Sequence, residues 1–199
     1  MKLTIRIFCL LFFIATFAEA ATQRKIPSYE KYIKTYSTLA VEQQRQHRIP
    51  ASITLAQGLL ESGAGQSDLA RRSNNHFGIK CHSDWRGGRV YHDDDLRGEC
   101  FRKYKRVEDS YEDHSKFLKR SRYESLFRLK ITDYKGWARG LQKCGYATDR
   151  AYANKLIKVI EDYELYRYDS GKIQKTTHQE KKKQKYPSVN YTIYRTFGL

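Results

Sequence analysis

The chain has 199 residues, 40% hydrophobic and 30% charged, which is enough for one packed domain and too polar for a protein of several membrane spans. Its 38 Lys and Arg against 22 Asp and Glu give a formal net charge of +16, and 16 Tyr with 9 Phe supply many rings. That content excludes a long disordered chain and directs attention to polyanions, nucleic acid first among them, because cations neutralise phosphates and rings stack on bases.

The N-terminus redirects this reading. Lys2 and Arg6 precede an apolar run from Ile7 to Phe17, and Ala18-Glu19-Ala20 supplies small residues at the usual cleavage positions, so residues 1–20 read as a signal peptide. The apolar run is shorter than the roughly 20 residues that cross a bilayer core. Cleavage before Ala21 removes two basic residues and one acidic residue, leaving the mature chain at +15. An exported protein, periplasmic or extracellular, meets wall polymers, lipid headgroups and glycans before it meets a genome. No nucleic-acid partner is therefore expected.

From Ser28, Tyr32, Ile33, Tyr36, Leu39 and Ala40 recur at helical spacing, predicting an amphipathic helix to about Gln46. Ile49-Pro50 interrupts it, and Pro50 opens a second helix through Ile53, Leu55, Ala56, Leu59 and Leu60, stopped by Gly63-Ala64-Gly65. Between Gly78 and Tyr104 the helical period disappears. Arg89 to His92 and Glu99 to Tyr104 read as two strands joined by a turn over Asp93-Asp94-Asp95-Leu96-Arg97-Gly98. Helices resume at Ser110, placed to cap a turn with Asp113, then from about Asp133 through Trp137 and Leu141 to Cys144-Gly145. The last begins after Thr148-Asp149 and carries Tyr152, Leu156, Ile160 and Tyr163 on one side. The fold class expected is mainly α (α+β), a helical domain with a small β-hairpin lobe, over residues 21–168. Residues 169–199, with the Lys181 to Lys185 cluster, read as a basic, solvated arm suited to an anionic wall or membrane surface.

With Cys9 removed, Cys81, Cys100 and Cys144 remain. Cys81 and Cys100 flank the hairpin and are expected to pair in an oxidising compartment, leaving Cys144 as a buried free thiol.

Thr54, Gln57 and Glu61 lie at i, i+3 and i+7 on the second helix, one polar stripe on an otherwise apolar segment. Burial would raise the pKa of a carboxyl there, as a general acid near neutral pH needs. On pattern alone, the stripe reads more readily as the wet face of a surface helix.

The text around it carries more. The run from Ile49 to Gly65, then Ser73-Asn74-Asn75-His76-Phe77-Gly78-Ile79-Lys80, Phe101-Arg102-Lys103-Tyr104, Ser110-Tyr111, Asp113-His114 before Phe117-Leu118, and Gly145-Tyr146-Ala147-Thr148-Asp149 before Tyr152-Ala153 resembles the bacterial glucosaminidase family, glycoside hydrolase family 73. The resemblance spans roughly residues 25–168 and implies a lysozyme-like fold acting on peptidoglycan glycan strands, without a metal or other cofactor. It implies that Glu61 is the general acid, protonating the glycosidic oxygen as an oxocarbenium-like centre develops. A second carboxylate is implied on the β segment, which offers Asp93, Asp94, Asp95 and Glu99; counting back from Arg97-Gly98 selects Asp94, then Asp95. Tyr146 is implied to line the cleft beside Glu61, with a core tyrosine as the plainer alternative. Gln57 is a candidate substrate contact. Phe77, Trp85, Tyr91 and Tyr152 are candidate sugar-stacking rings, and Asn75 either touches substrate or braces its loop. Arg150 stands where the family often has Pro, a change affecting only how the helix start is preset. A thiol hydrolase built on Cys81 loses its nucleophile to the expected disulfide, and His76, Cys81 and His82 lack zinc-ligand spacing.

Overall fold

Pro27 begins the first helix of the computed structural model, which describes residues 25–94 and 96–171; the expected signal peptide, Asp95 and the arm from residue 172 lie outside the described residues. Helix α1 spans Pro27–His47 and ends where Arg48 turns left-handed and donates its N–H to the Gln44 carbonyl. Helix α2, Ala51–Ser62, follows after the Ile49-Pro50 break.

Every residue of α2 from Ala51 to Leu59 is buried, so the expected wet stripe does not exist: Thr54 and Gln57 have no exposed surface. The helix is the centre of the core, and α1 crosses it closely. A Cβ at Gly58 would overlap the Tyr32 hydroxyl, which instead bonds to the Tyr111 hydroxyl at 2.8 Å and His76 Nδ1 at 2.9 Å. The α2 first-turn donors are satisfied from outside the helix. The Ala51 N–H donates to Gln44 Oε1 at 2.8 Å, and the Ser52 N–H and hydroxyl donate to the two Asp169 carboxylate oxygens at 2.8 and 2.7 Å. Asp169 is only 3% exposed, so the folded body continues past the boundary expected at 168.

Helix α3, Asp68–Ser73, was not anticipated; Ser67 caps it by accepting from the Ala70 N–H. Strands β1 (Gly88–His92) and β2 (Glu99–Lys103) pair antiparallel, with Tyr91 opposite Cys100 and Val90 opposite Phe101. The Asp93 carboxylate accepts from the Gly98 N–H across the connecting turn. A Cys81–Cys100 disulfide ties the preceding segment to β2, as expected, while Cys144 is a half-buried rather than fully buried free thiol. Helix α4 runs Val107–Leu118, starting before the expected position. Arg106 and Asp109 make its capping pair, whereas Ser110 lies inside the helix and accepts from the His76 N–H. Arg102 of β2 forms a two-pronged pair with Asp113 of α4 at 3.0 and 2.9 Å, and Tyr104 adds a 2.6 Å bond to the same carboxylate. A 3-10 segment, Ser121–Arg128, leads to α5 (Tyr134–Lys143), capped by Asp133, then α6 (Tyr152–Asp162) and a 3-10 segment, Leu165–Ser170. Among the described residues no helix is long and apolar enough to cross a membrane.

Candidate active site

Glu61 is the penultimate residue of α2, where the buried helix reaches a cavity of about 530 Å³. Gly63, left-handed at φ +56°, ends the helix just beyond it. The cavity lies between the helical body and the hairpin, with Phe77 to Lys80 and Asp94 contributed from one side and Tyr146 to Asp149, Tyr152 and Lys155 from the α5–α6 connection and α6. Burial pushes the Glu61 carboxyl up to about 7. A hydrogen bond from Tyr152 opposes that rise, and the Asp94 carboxylate adds to it. A carboxyl with this value is partly protonated near neutral pH, and it opens onto a space large enough for sugar rings.

Tyr152 donates to Glu61 Oε1 at 2.9 Å and accepts from Gln57 Nε2 at 3.0 Å. Its hydroxyl stays neutral, because burial and the nearby Tyr146 and Glu61 push its pKa far up. The Tyr146 ring lies nearly parallel to that of Tyr152, with centroids 5.5 Å apart and planes at 22°, and burial keeps its hydroxyl protonated as well. Phe77 forms part of the cavity wall and stacks on His114 at 3.9 Å. The His114 ring is fully buried, both its nitrogens lack a hydrogen-bond partner among the described residues, and burial lowers its pKa to about 3. It is therefore neutral and acts as an apolar plate behind Phe77.

Asn75 braces its loop. Its amide group donates to the Ile79 and Arg102 carbonyls at 3.0 Å each, and its oxygen accepts from the Phe77 and Ile79 N–H groups. Asp94 lines the cavity with its side chain half exposed, and Lys80 Nζ stands 3.3 Å from it and 2.9 Å from Glu99. Asp93 is engaged in the turn. Two of the proposed sugar-stacking rings lie outside the cavity lining. Trp85 is held by its indole N–H to the Gly88 carbonyl and by the Arg102 guanidinium over its ring at 4.6 Å, while Tyr91 is 63% exposed on β1. Gln57 is likewise sealed from the cavity. Sequence reasoning gave no part to Lys80, His82, Phe117, Asp149 or Lys155, all of which line the cavity. Lys80 closes the Ser73 to Lys80 run, but its place beside Asp94 and Glu99 depends on how the hairpin docks.

A family model described as mannosyl-glycoprotein endo-beta-N-acetylglucosaminidase, named Glucosaminidase, matches residues 37–165. The chain belongs to the glucosaminidase family. The family's description is that of a glycoside hydrolase, and the matched span holds α2, the hairpin and α6. Among curated glucosaminidase relatives, the exo-glucosaminidase LytG of Bacillus subtilis is 36% identical over 141 residues, covering 63% of this chain and 48% of its own length. The peptidoglycan hydrolase FlgJ of Vibrio parahaemolyticus is 32% identical, with 72% of this chain and 50% of its own length covered. The chain spans about half the length of these relatives. Among solved structures, the catalytic domain of the autolysin Auto from Listeria monocytogenes is 31% identical with a TM-score of 0.62, covering 75% of this chain and 92% of that one. The glycoside hydrolase domain of Salmonella typhimurium FlgJ is 28% identical with a TM-score of 0.58, covering 71% and 92% respectively. The glucosaminidase fold is lysozyme-like, mostly helical with one small antiparallel sheet among the described residues.

Proposed function

We propose that this glucosaminidase is exported and hydrolyses the β-1,4 bond that follows N-acetylglucosamine within peptidoglycan strands, with Glu61 as general acid. The carrying observation is the Glu61 carboxyl, raised to about 7 by burial at the end of a core helix that opens onto the cavity. Protonated Glu61 gives its proton to the glycosidic oxygen while the bond to the anomeric carbon breaks with its electron pair moving to that oxygen. Asp94 is assigned the second carboxylate, facing the positive charge that develops on the sugar ring. Tyr146 is assigned to the acetamido group or the reacting ring, its neutral hydroxyl available for hydrogen bonding, and Phe77 supplies an apolar wall. The names of LytG and FlgJ support the glycan class, and the mature charge of +15 suits a wall polymer or another anionic surface.

The description of the family model favours a second substrate, the chitobiose core of N-linked glycans, which presents a similar bond. A noncatalytic wall-binding protein would have no use for a carboxyl raised in this way. Purified peptidoglycan and a chitobiose-core glycopeptide are digested in parallel, the new ends reduced and identified by mass spectrometry, for wild type and Glu61→Gln. N-acetylglucosaminitol ends on peptidoglycan, lost in the variant, are the expected result. N-acetylmuramitol ends would make the protein a muramidase, early release of disaccharides alone would make it exo-acting, and no cleavage of either glycan would leave the binding reading in its place.

A further inference from the structure

The unusual group beside Glu61 is Gln57, one turn earlier on α2. It has no exposed surface, yet its carboxamide oxygen has no hydrogen-bond partner among the described residues. A buried polar atom left unpartnered costs stability, so a well-packed apolar side chain would serve the fold better. What Gln57 does have is a 3.0 Å bond from Nε2 to the Tyr152 hydroxyl, whose own proton reaches Glu61 Oε1 at 2.9 Å. A hydroxyl has one proton to donate. If it accepts from Gln57, that proton is free to point only at Glu61.

We propose that Gln57 is a positioning residue: by donating to the Tyr152 hydroxyl it turns that single proton toward Glu61 Oε1, so that Oε2 carries and delivers the acid's proton. This rests on the reading of Glu61 as general acid. With the direction reversed, Gln57 would accept from Tyr152, and Glu61 would have to point its proton at Tyr152 instead of the substrate. In the arrangement seen, the proton leaves Oε2 for the glycosidic oxygen and the new carboxylate is met at once by the Tyr152 donor. Gln57 therefore acts on the reaction without touching the sugar, which replaces its expected part as a substrate contact.

The test reads the Glu61 carboxyl directly, without relying on turnover. The full chain is labelled with ¹³C at glutamate side chains, the Glu61 signal is assigned by its loss in Glu61→Gln, and its titration is followed by NMR in wild type, Gln57→Met, Tyr152→Phe and the double variant. Asp94, whose charge acts on this carboxyl, and the other titratable groups that line the cavity, Lys80 and His82 on one side and Tyr146, Asp149 and Lys155 on the other, are unchanged throughout. Gln57→Met is expected to move the midpoint up by about half a pH unit, since Tyr152 becomes a weaker donor to the carboxylate. Tyr152→Phe should move it further, and the double variant should match Tyr152→Phe alone. The Gln57 variant should also keep or raise the melting temperature while kcat falls by about tenfold at unchanged KM. Gln57→Leu repeats the comparison with a second apolar side chain, in case methionine packs badly. An unmoved midpoint in both apolar variants, or an equal further shift when Gln57→Met is added to Tyr152→Phe, would overturn the proposal. Peptidoglycan digestion by Glu61→Gln at the wild-type rate would instead remove the acid reading, while the titrations would still decide the direction of the hydrogen bonds.

Discussion

Glu61 weakens the fold for the reason that it suits acid chemistry. Its native pKa of about 7 lies above the ordinary 4.5, so the folded protein holds this proton to higher pH than the unfolded chain does. The contribution is fully present below about 4.5 and is lost as pH rises through about 7, a swing of about 3 kcal/mol for a shift of this size. Glu61→Gln should consequently melt several degrees above wild type at pH 8 and alongside it at pH 4. Equal melting temperatures at both pH values would mean that the carboxyl ionises without penalty. Position 61 was legible because the text from Ile49 to Gly65 surrounds it. Gln57 was misread because an i, i+3, i+7 stripe says which residues share a face, not whether another element covers that face. Tyr91 and Trp85 failed as cavity rings for a related reason: aromatic identity is visible in a sequence, but the side of a hairpin that meets the cleft depends on how the hairpin docks.

At the scale of elements, the helices and strands set by local periodicity appear within a few residues of their expected bounds, as α2 and the hairpin show. Features set by distant partners do not. Ser110 looked like a cap, yet it sits inside α4 and receives the His76 N–H, a contact invisible to local pattern. Helix α3 has only six residues, too few for periodicity, although Ser67 was a readable start. The start of α2 is the clearest case, because the Ser52 N–H and hydroxyl are closed by Asp169, 117 positions later. Asp169→Ala should cost about 1–3 kcal/mol in urea denaturation by leaving the buried Ser52 N–H and hydroxyl unpartnered, and Asp169→Asn should cost less because an acceptor remains. A loss in the alanine variant below about 0.5 kcal/mol, within the range of ordinary surface substitutions, would show that Asp169 is not the cap.

Across the whole molecule, the ties that hold the hairpin near the helical body include the Cys81–Cys100 disulfide, which fixes the segment leading into it, and the Arg102–Asp113 pair, which joins β2 to α4. Closing a loop of this length contributes about 3 kcal/mol by the chain-entropy estimate. Paired Cys81→Ala and Cys100→Ala substitution should speed hydrogen exchange in β1 and β2 while the amides of α2 keep their protection. Uniform acceleration across all elements would instead make the disulfide a support of the entire fold. The contact between Asp169 and Ser52 also orders events in time. A chain is made from its N-terminus, and contacts between distant positions wait for the later partner to emerge. The helix that bears Glu61 is synthesised early but lacks its closing carboxylate until the 3-10 segment Leu165–Ser170 has followed it. A chain interrupted before that point carries the candidate acid on an unfinished scaffold, so completion of the glucosaminidase domain and assembly of its cleft become a single event.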